Sequence, residues 1–157
     1  PGKNLETFGI STCSGVLGAR PGHFAYLAHI SPRDQIYGGR DTDLLGQMLM
    51  RIQTFDIHPS EVRDVSFTVV APHLETLHAI IGRLIEEGFL LSQIRIMYMP
   101  DAETARVQYD CQDNLLTVTW QMTEAQEPYV QQLEDGLLLS DIVKDLMAQD
   151  NQAMNGS

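Results

Sequence analysis

Residues 15–30 read GVLGARPGHFAYLAHI, two short apolar runs held apart by Arg20, Pro21 and Gly22. Apolar runs of about four to eight residues between turn formers read as buried strands, and Pro-Gly is a turn dipeptide. So short a connection lets the two strands become neighbours in one sheet. The chain therefore begins by building a sheet, and the later segments add to it.

Residues 41–55, DTDLLGQMLMRIQTF, change period. Leu44, Leu45, Met48, Leu49 and Ile52 recur at helical spacing, with Asp41 or Thr42 as the N-cap. VSFTVVA (65–71) is rich in β-branched residues and reads as a strand. HLETLHAIIGRLIEEGF (73–89) predicts a second helix whose apolar face is Leu74, Leu77, Ile80, Ile81, Leu84 and Ile85, with Gly88 placed to end it. QIRIMYM (93–99) reads as a further strand. ARVQYDCQDNLLTVTWQM (105–122) alternates on either side of Gln112, Asp113 and Asn114, as a hairpin does. A last amphipathic helix is expected over EDGLLLSDIVKDLMAQ (134–149), and a disordered tail over 151–157. No internal repeat or low-complexity stretch interrupts this order. Paired strands interrupted by helices predict a single α+β layered domain over residues 1–150, not a doubly wound parallel sheet.

At 157 residues and 43% hydrophobic, the chain can bury one sizeable core. Its formal net charge is −11, and from residue 123 onward seven carboxylates face one lysine. No basic patch exists to neutralise a phosphate backbone, which excludes nucleic acid as a partner. An anionic membrane would repel the same surface, and no apolar run is long enough to span one. A neutral or basic protein surface is the expected partner. Two cysteines, Cys13 and Cys111, are too few for a disulfide framework, so both are read as reduced thiols in a reducing cytosol. No signal peptide is recognisable. The chain opens on Pro-Gly-Lys-Asn, as expected of a domain within a larger parent.

Several chemistries fail on spacing. His73 and His78 are five apart, on different sides of a helix, where a zinc-protease helix needs a spacing of four. His58 precedes a proline, and no Cys-x-x-Cys exists, so no metal is expected. Gly38-Gly39-Arg40 lacks the spacing of a phosphate cradle, and no serine nucleophile elbow is present.

Cys13 remains. A free cysteine by itself argues for burial, not chemistry. Its context argues otherwise. GISTCSG (9–15) is small and turn-prone, a setting that can leave backbone N–H groups free for an oxyanion. The second strand of the opening hairpin ends in a histidine, an awkward place for a polar ring without a partner. The hairpin can bring thiol and imidazole together, and an adjacent imidazole both takes the thiol proton and stabilises the thiolate. His23 lies in or just after the turn, whereas His29 stands at the far end of the strand and is preferred as the base. Thr7 could hydrogen-bond the ring and hold one tautomer, as the third member of a triad does.

TFGISTC (7–13), followed by a strand ending in LAHI (27–30), resembles the chemoreceptor glutamine deamidase CheD and the related catalytic domains of the cytotoxic necrotizing factor type. The order of elements over residues 5–121 is similar as well. The resemblance implies a β-sandwich of mixed and antiparallel sheets flanked by helices. It also implies Cys13 as nucleophile, His29 as general base and Thr7 as the residue that orients the histidine, with no cofactor. The expected activity is hydrolysis of an exposed glutamine side chain on a protein substrate to glutamate and ammonia. STC stands here where CheD carries GSC, and FAYLA replaces its glycine-methionine-asparagine run. A toxin- or effector-like enzyme, acting in a host cell after secretion, therefore fits as well as a chemotaxis-type enzyme of the bacterial cytoplasm. Two alternatives stand beside this. A papain- or transglutaminase-type enzyme would use His58, His73 or His78. A non-catalytic interaction module would dock through the acidic C-terminal helix.

Overall fold

The computed structural model describes residues 4–31, 44–53, 63–124 and 127–155. The opening hairpin is formed by β2 (Ser14–Arg20) and β3 (Phe24–Ile30), antiparallel and in register from Ser14–Ile30 to Arg20–Phe24. Gly22 takes φ +83° in its turn, a left-handed conformation that glycine adopts without steric cost, and the His23 amide donates to the Arg20 carbonyl at 2.9 Å. Around the hairpin stand β1 (Asn4–Ile10), β4 (Ser66–Ala71), β5 (Ile94–Tyr98), β6 (Ala102–Asp110), β7 (Leu115–Met122), β8 (Tyr129–Gln132) and β9 (Leu137–Leu138). Three helices are described: α1 (Leu44–Arg51), α2 (Leu74–Glu86) and α3 (Leu139–Asn155).

The strands form two sheets. One has the order β1-β6-β7-β8 and is antiparallel throughout. The other, β3-β2-β4-β5-β9, is mixed, with β4 and β5 parallel across the α2 crossover. The architecture is α+β, as the alternation of periods implied.

Side-chain alternation explains how the layers stack. On one face of β2, Leu17 and Ala19 join Val70 and Met97 against Ile10, Val107, Tyr109, Leu116, Val118 and Trp120 of the four-stranded sheet. On the other face, Val16, Phe67, Val69 and Ile94 pack on Leu45, Met48 and Leu49 of α1 and on Leu77, Ile80 and Leu84 of α2. The five-stranded sheet is thus covered on both sides. Each fully buried Leu, Ile, Val or Phe contributes about 1.5–3 kcal/mol by leaving water. Gly18 makes the helix side close: a Cβ there would stand 3.0 Å from Phe67 Cε1 and 3.2 Å from both Ile52 Cδ1 and Met48 Sδ.

The second helix ends as its sequence implied. Gly88 takes φ +94°, its amide donates to the Ile85 carbonyl at 3.0 Å, and the Phe89 amide reaches back to Leu84 at 3.1 Å. This is the paired bonding of a Schellman ending, with buried Phe89 as its apolar lock. The 105–122 hairpin is also present, and its turn runs through Cys111. Asp110 Oδ1 accepts from the amides of Gln112 and Asp113, and Asn114 takes φ 51°.

The last helix departs from expectation. It begins at Leu139 instead of residue 134, and its backbone continues to Asn155, inside the stretch read as a tail. A single 3₁₀ turn (Leu133–Asp135) and β9 occupy the expected first turns. The cause is tertiary. Arg95 Nη1 donates to the Gly136 carbonyl at 2.8 Å, and Leu137 and Leu138 complete the sheet beside Ile96 and Arg95. Asp41, Thr42 and His58 lie outside the described residues. Among the described residues, no helix is long and apolar enough to cross a membrane.

Candidate active site

The site begins with a bulge. β1 pairs with β6 from Asn4–Asp110 to Thr7–Val107, then resumes at Ile10–Ala105, so three steps on β1 oppose two on β6. The extra residue is accommodated at Phe8 and Gly9, where Gly9 takes φ +71°. Thr7 and Ile10 would face opposite ways on a regular strand. With the bulge both turn inward: Thr7 is half-buried and Ile10 fully buried, while Phe8 is 71% exposed.

Beyond Ile10 the chain leaves the four-stranded sheet, passes through Ser11, Thr12 and Cys13, and enters β2 at Ser14. Gly15 of β2 is flanked by His29 on one side and Val70 on the other. A Cβ at Gly15 would lie 2.9 Å from Ile10 Cδ1 and 3.9 Å from Thr7 Cγ2, so the glycine lets the bulged end of β1 settle on the hairpin.

Thr7 and His29 meet there. Thr7 Oγ1 lies 3.2 Å from His29 Nδ1, a contact between two half-buried side chains from different sheets. Cys13, also half-buried, carries a free thiol and sits two residues before the position that pairs with His29. Cys13 itself lies just outside the ladder, which ends at Ser14–Ile30. One nitrogen of the imidazole, Nδ1, is thus in contact with Thr7.

The crossing loop is anchored from the helix side. Thr76, buried in the first turn of α2, donates its hydroxyl to the Thr12 carbonyl at 2.9 Å. The residue before Cys13 is therefore tied to a helix N-terminus, where unpaired amides and the helix dipole favour negative charge. Ser14 comes next, with its hydroxyl fully buried and no hydrogen-bond partner among the described residues.

The other described histidines fall elsewhere. His23 is exposed in the β2–β3 turn, at the opposite end of the hairpin from Cys13. His73 and His78 are both exposed on or beside α2, and His73 borders an open depression with Thr12, Glu75 and Thr76. Cys111 is likewise free, in the hairpin turn next to the start of β1. The seven residues of β1 separate the two thiols by about 20 Å at the strand rise, too far for a disulfide.

Two features of the site, the Gly9 bulge and the Thr76 anchor, differ in how far the sequence announces them. The Gly9 bulge had a signal, because an isolated glycine in an alternating run marks bulges. Thr76 had none, since nothing in HLET says which carbonyl its hydroxyl meets. No protein-family model matches the chain, and the comparison with curated proteins finds no match.

Proposed function

We propose that the protein is a cysteine-dependent glutamine deamidase acting on protein substrates, with a fold of the CheD and cytotoxic necrotizing factor type. The observation that carries the reading is the Thr7–His29 contact, made at the end of the hairpin that Cys13 leads into. Thr7 and His29 come from different sheets and lie within hydrogen-bonding distance, which supports their pairing in a triad.

The chemistry depends on which nitrogen is occupied. With Nδ1–H donating to Thr7 Oγ1, the lone pair of Nε2 is available to take the Cys13 proton. The thiolate attacks the carboxamide carbon of a substrate glutamine, and backbone N–H groups around Cys13 hold the oxyanion. Collapse breaks the C–N bond as the imidazolium protonates the departing nitrogen, and ammonia leaves a thioester. Water, deprotonated by the same imidazole, adds to the thioester. The C–S bond then breaks to give glutamate and regenerate the thiolate. The formal charge of −11 favours neutral or basic substrate surfaces.

A second reading keeps Cys13 as nucleophile and gives the base role to His73, because His73 borders the same depression as Thr12. Alkylation by iodoacetamide across pH, with His29→Ala and His73→Ala beside wild type and Cys111→Ala as background, separates the two. Fast Cys13 labelling at neutral pH that slows only in His29→Ala supports the first reading, and slowing only in His73→Ala supports the second. Cys13 reacting at the rate of an ordinary thiol in all three proteins overturns both. If the thiol is activated, release of ammonia from glutamine-bearing test proteins, absent with Cys13→Ala, tests the deamidase step itself.

A further inference from the structure

The inward face of the opening hairpin carries three cross-strand pairs in succession: Gly15–His29, Leu17–Leu27 and Ala19–Ala25. Where the middle pair fills the space towards the other sheet with two leucines, the last pair offers only methyl groups. Beside Ala25, between the two sheets, lies a cavity of about 190 Å³. Its apolar walls are Leu5 of β1 with Pro21 and Ala25 of the hairpin.

Tyr109 closes the inner wall. Its hydroxyl donates to Asn114 Oδ1 at 2.7 Å, so the phenol is already satisfied and the ring serves the cavity as an apolar wall. Two further groups line the same space, the exposed His23 imidazole and the half-buried Cys111 thiol. An apolar cavity of about 150 Å³ in another protein stays dry and takes up benzene, so this space has room for at least one aromatic ring. Apolar walls with a few convergent polar groups are the usual make-up of a small-molecule site.

We propose that this cavity binds a small aromatic molecule, a single ring or fused bicycle with one polar group. The ring lies among Leu5, Ala25 and Tyr109, and the polar group faces His23 and Cys111. The site is separate from Cys13. It lies at the other end of the seam where β1 faces β3, and it does not depend on the deamidase reading.

Cys111 supplies the readout and indole the probe. Alkylation of Cys111 and Cys13 is followed in the same sample as indole is added. Expected is a saturable slowing of Cys111 alone, about tenfold at ten times the half-saturating concentration. Ala25→Leu, which puts a leucine into the lining of the cavity, should abolish the indole effect. Leu5→Phe fills the space from the opposite strand and serves the same purpose should Ala25→Leu not fold. An unchanged Cys111 rate at the solubility limit of indole, equal slowing of both cysteines, or protection that persists in a folded cavity-filled variant overturns the proposal.

Discussion

Replacing Thr7 with valine keeps the shape of a β-branched side chain and removes only the hydroxyl that faces His29 Nδ1 at 3.2 Å. A net hydrogen bond between half-buried neutral groups is worth about 0.5–1.5 kcal/mol. If that energy holds the ring in its productive orientation, its loss lowers the oriented population by about two- to thirteen-fold, at 1.36 kcal/mol per factor of ten. Cys13 reactivity at neutral pH should fall by the same factor, while global stability changes by no more than about 1.5 kcal/mol. The assay is iodoacetamide labelling followed by peptide mass spectrometry, with Cys111 as the internal reference and urea unfolding as the stability control. Thr7→Ser restores the hydroxyl and should recover most of the rate, which a packing defect would not allow. His29→Ala should be slower than either, because it removes the base itself. Identical Cys13 rates in wild type and Thr7→Val, with His29→Ala slow, remove Thr7 from the mechanism. Identical rates in all of them remove the dyad.

Ser14→Ala deletes a buried hydroxyl that has no partner among the described residues, so it should raise stability by about 1 kcal/mol in urea unfolding. Gly18→Ala places a methyl 3.0 Å from Phe67 Cε1 and 3.2 Å from Met48 Sδ, and should cost about 1–2 kcal/mol by the same measurement as α1 is pushed off the sheet. Thr76→Val leaves the Thr12 carbonyl without its donor, and should both destabilise by about 1 kcal/mol and slow Cys13 labelling as the crossing loop loses its anchor. Burial raises the Tyr109 hydroxyl above its ordinary value of 10.0, and the nearby Cys111 and Asp110 add to the rise. The neutral phenol is therefore favoured in the folded state, and its contribution is complete below pH 10.0 and lost as pH climbs through the raised folded value. Unfolding free energy measured against pH should fall more steeply there in wild type than in Tyr109→Phe.

Local patterning made most of the fold legible. The hairpin of β2 and β3, both helices that pack on the sheet, and the β6–β7 hairpin announce themselves because period, turn residues and apolar content agree over each stretch. The elements that stayed hidden share a physical cause. β8 has four residues and comes just after a proline, and β9 has only two, so neither carries enough pattern to be seen. Their strand form comes from neighbours. Val118, Thr119 and Trp120 pair with β8, and Trp120 Nε1 donates to Gln131 at 2.8 Å. The same override displaces the start of the last helix past Gly136, whose carbonyl belongs to Arg95.

β1 was hidden for a reason that also bears on the site. Asn4–Ile10 alternates up to Thr7 and then breaks phase at Phe8 and Gly9, so a strict period of two does not run through it. The break is structural. Were the same seven residues held in a regular ladder, Ile10 would turn out of the core when Thr7 turns in, and the strand could not both anchor in the sandwich and present a hydroxyl to β3. With it, Ile10 is locked beside Gly15, and the next three residues cross to the second sheet, arriving at Cys13 beside the strand that carries His29. The six-residue offset from Thr7 to Cys13 thus has a mechanical content: strand end, bulge, anchor and crossing. Gly9→Val tests that content without touching any of the three polar side chains, because a side chain there meets nothing within 4 Å but resists the φ of +71° that the bulge needs. Losing that conformation should undo the bulge, break the 3.2 Å contact and slow Cys13 labelling at least as much as Thr7→Val does. Amide shifts of β2 and β3 that stay in place would show that the hairpin itself survives. Unchanged Cys13 reactivity in that variant would mean that spacing alone, and not the bulge, accounts for the motif.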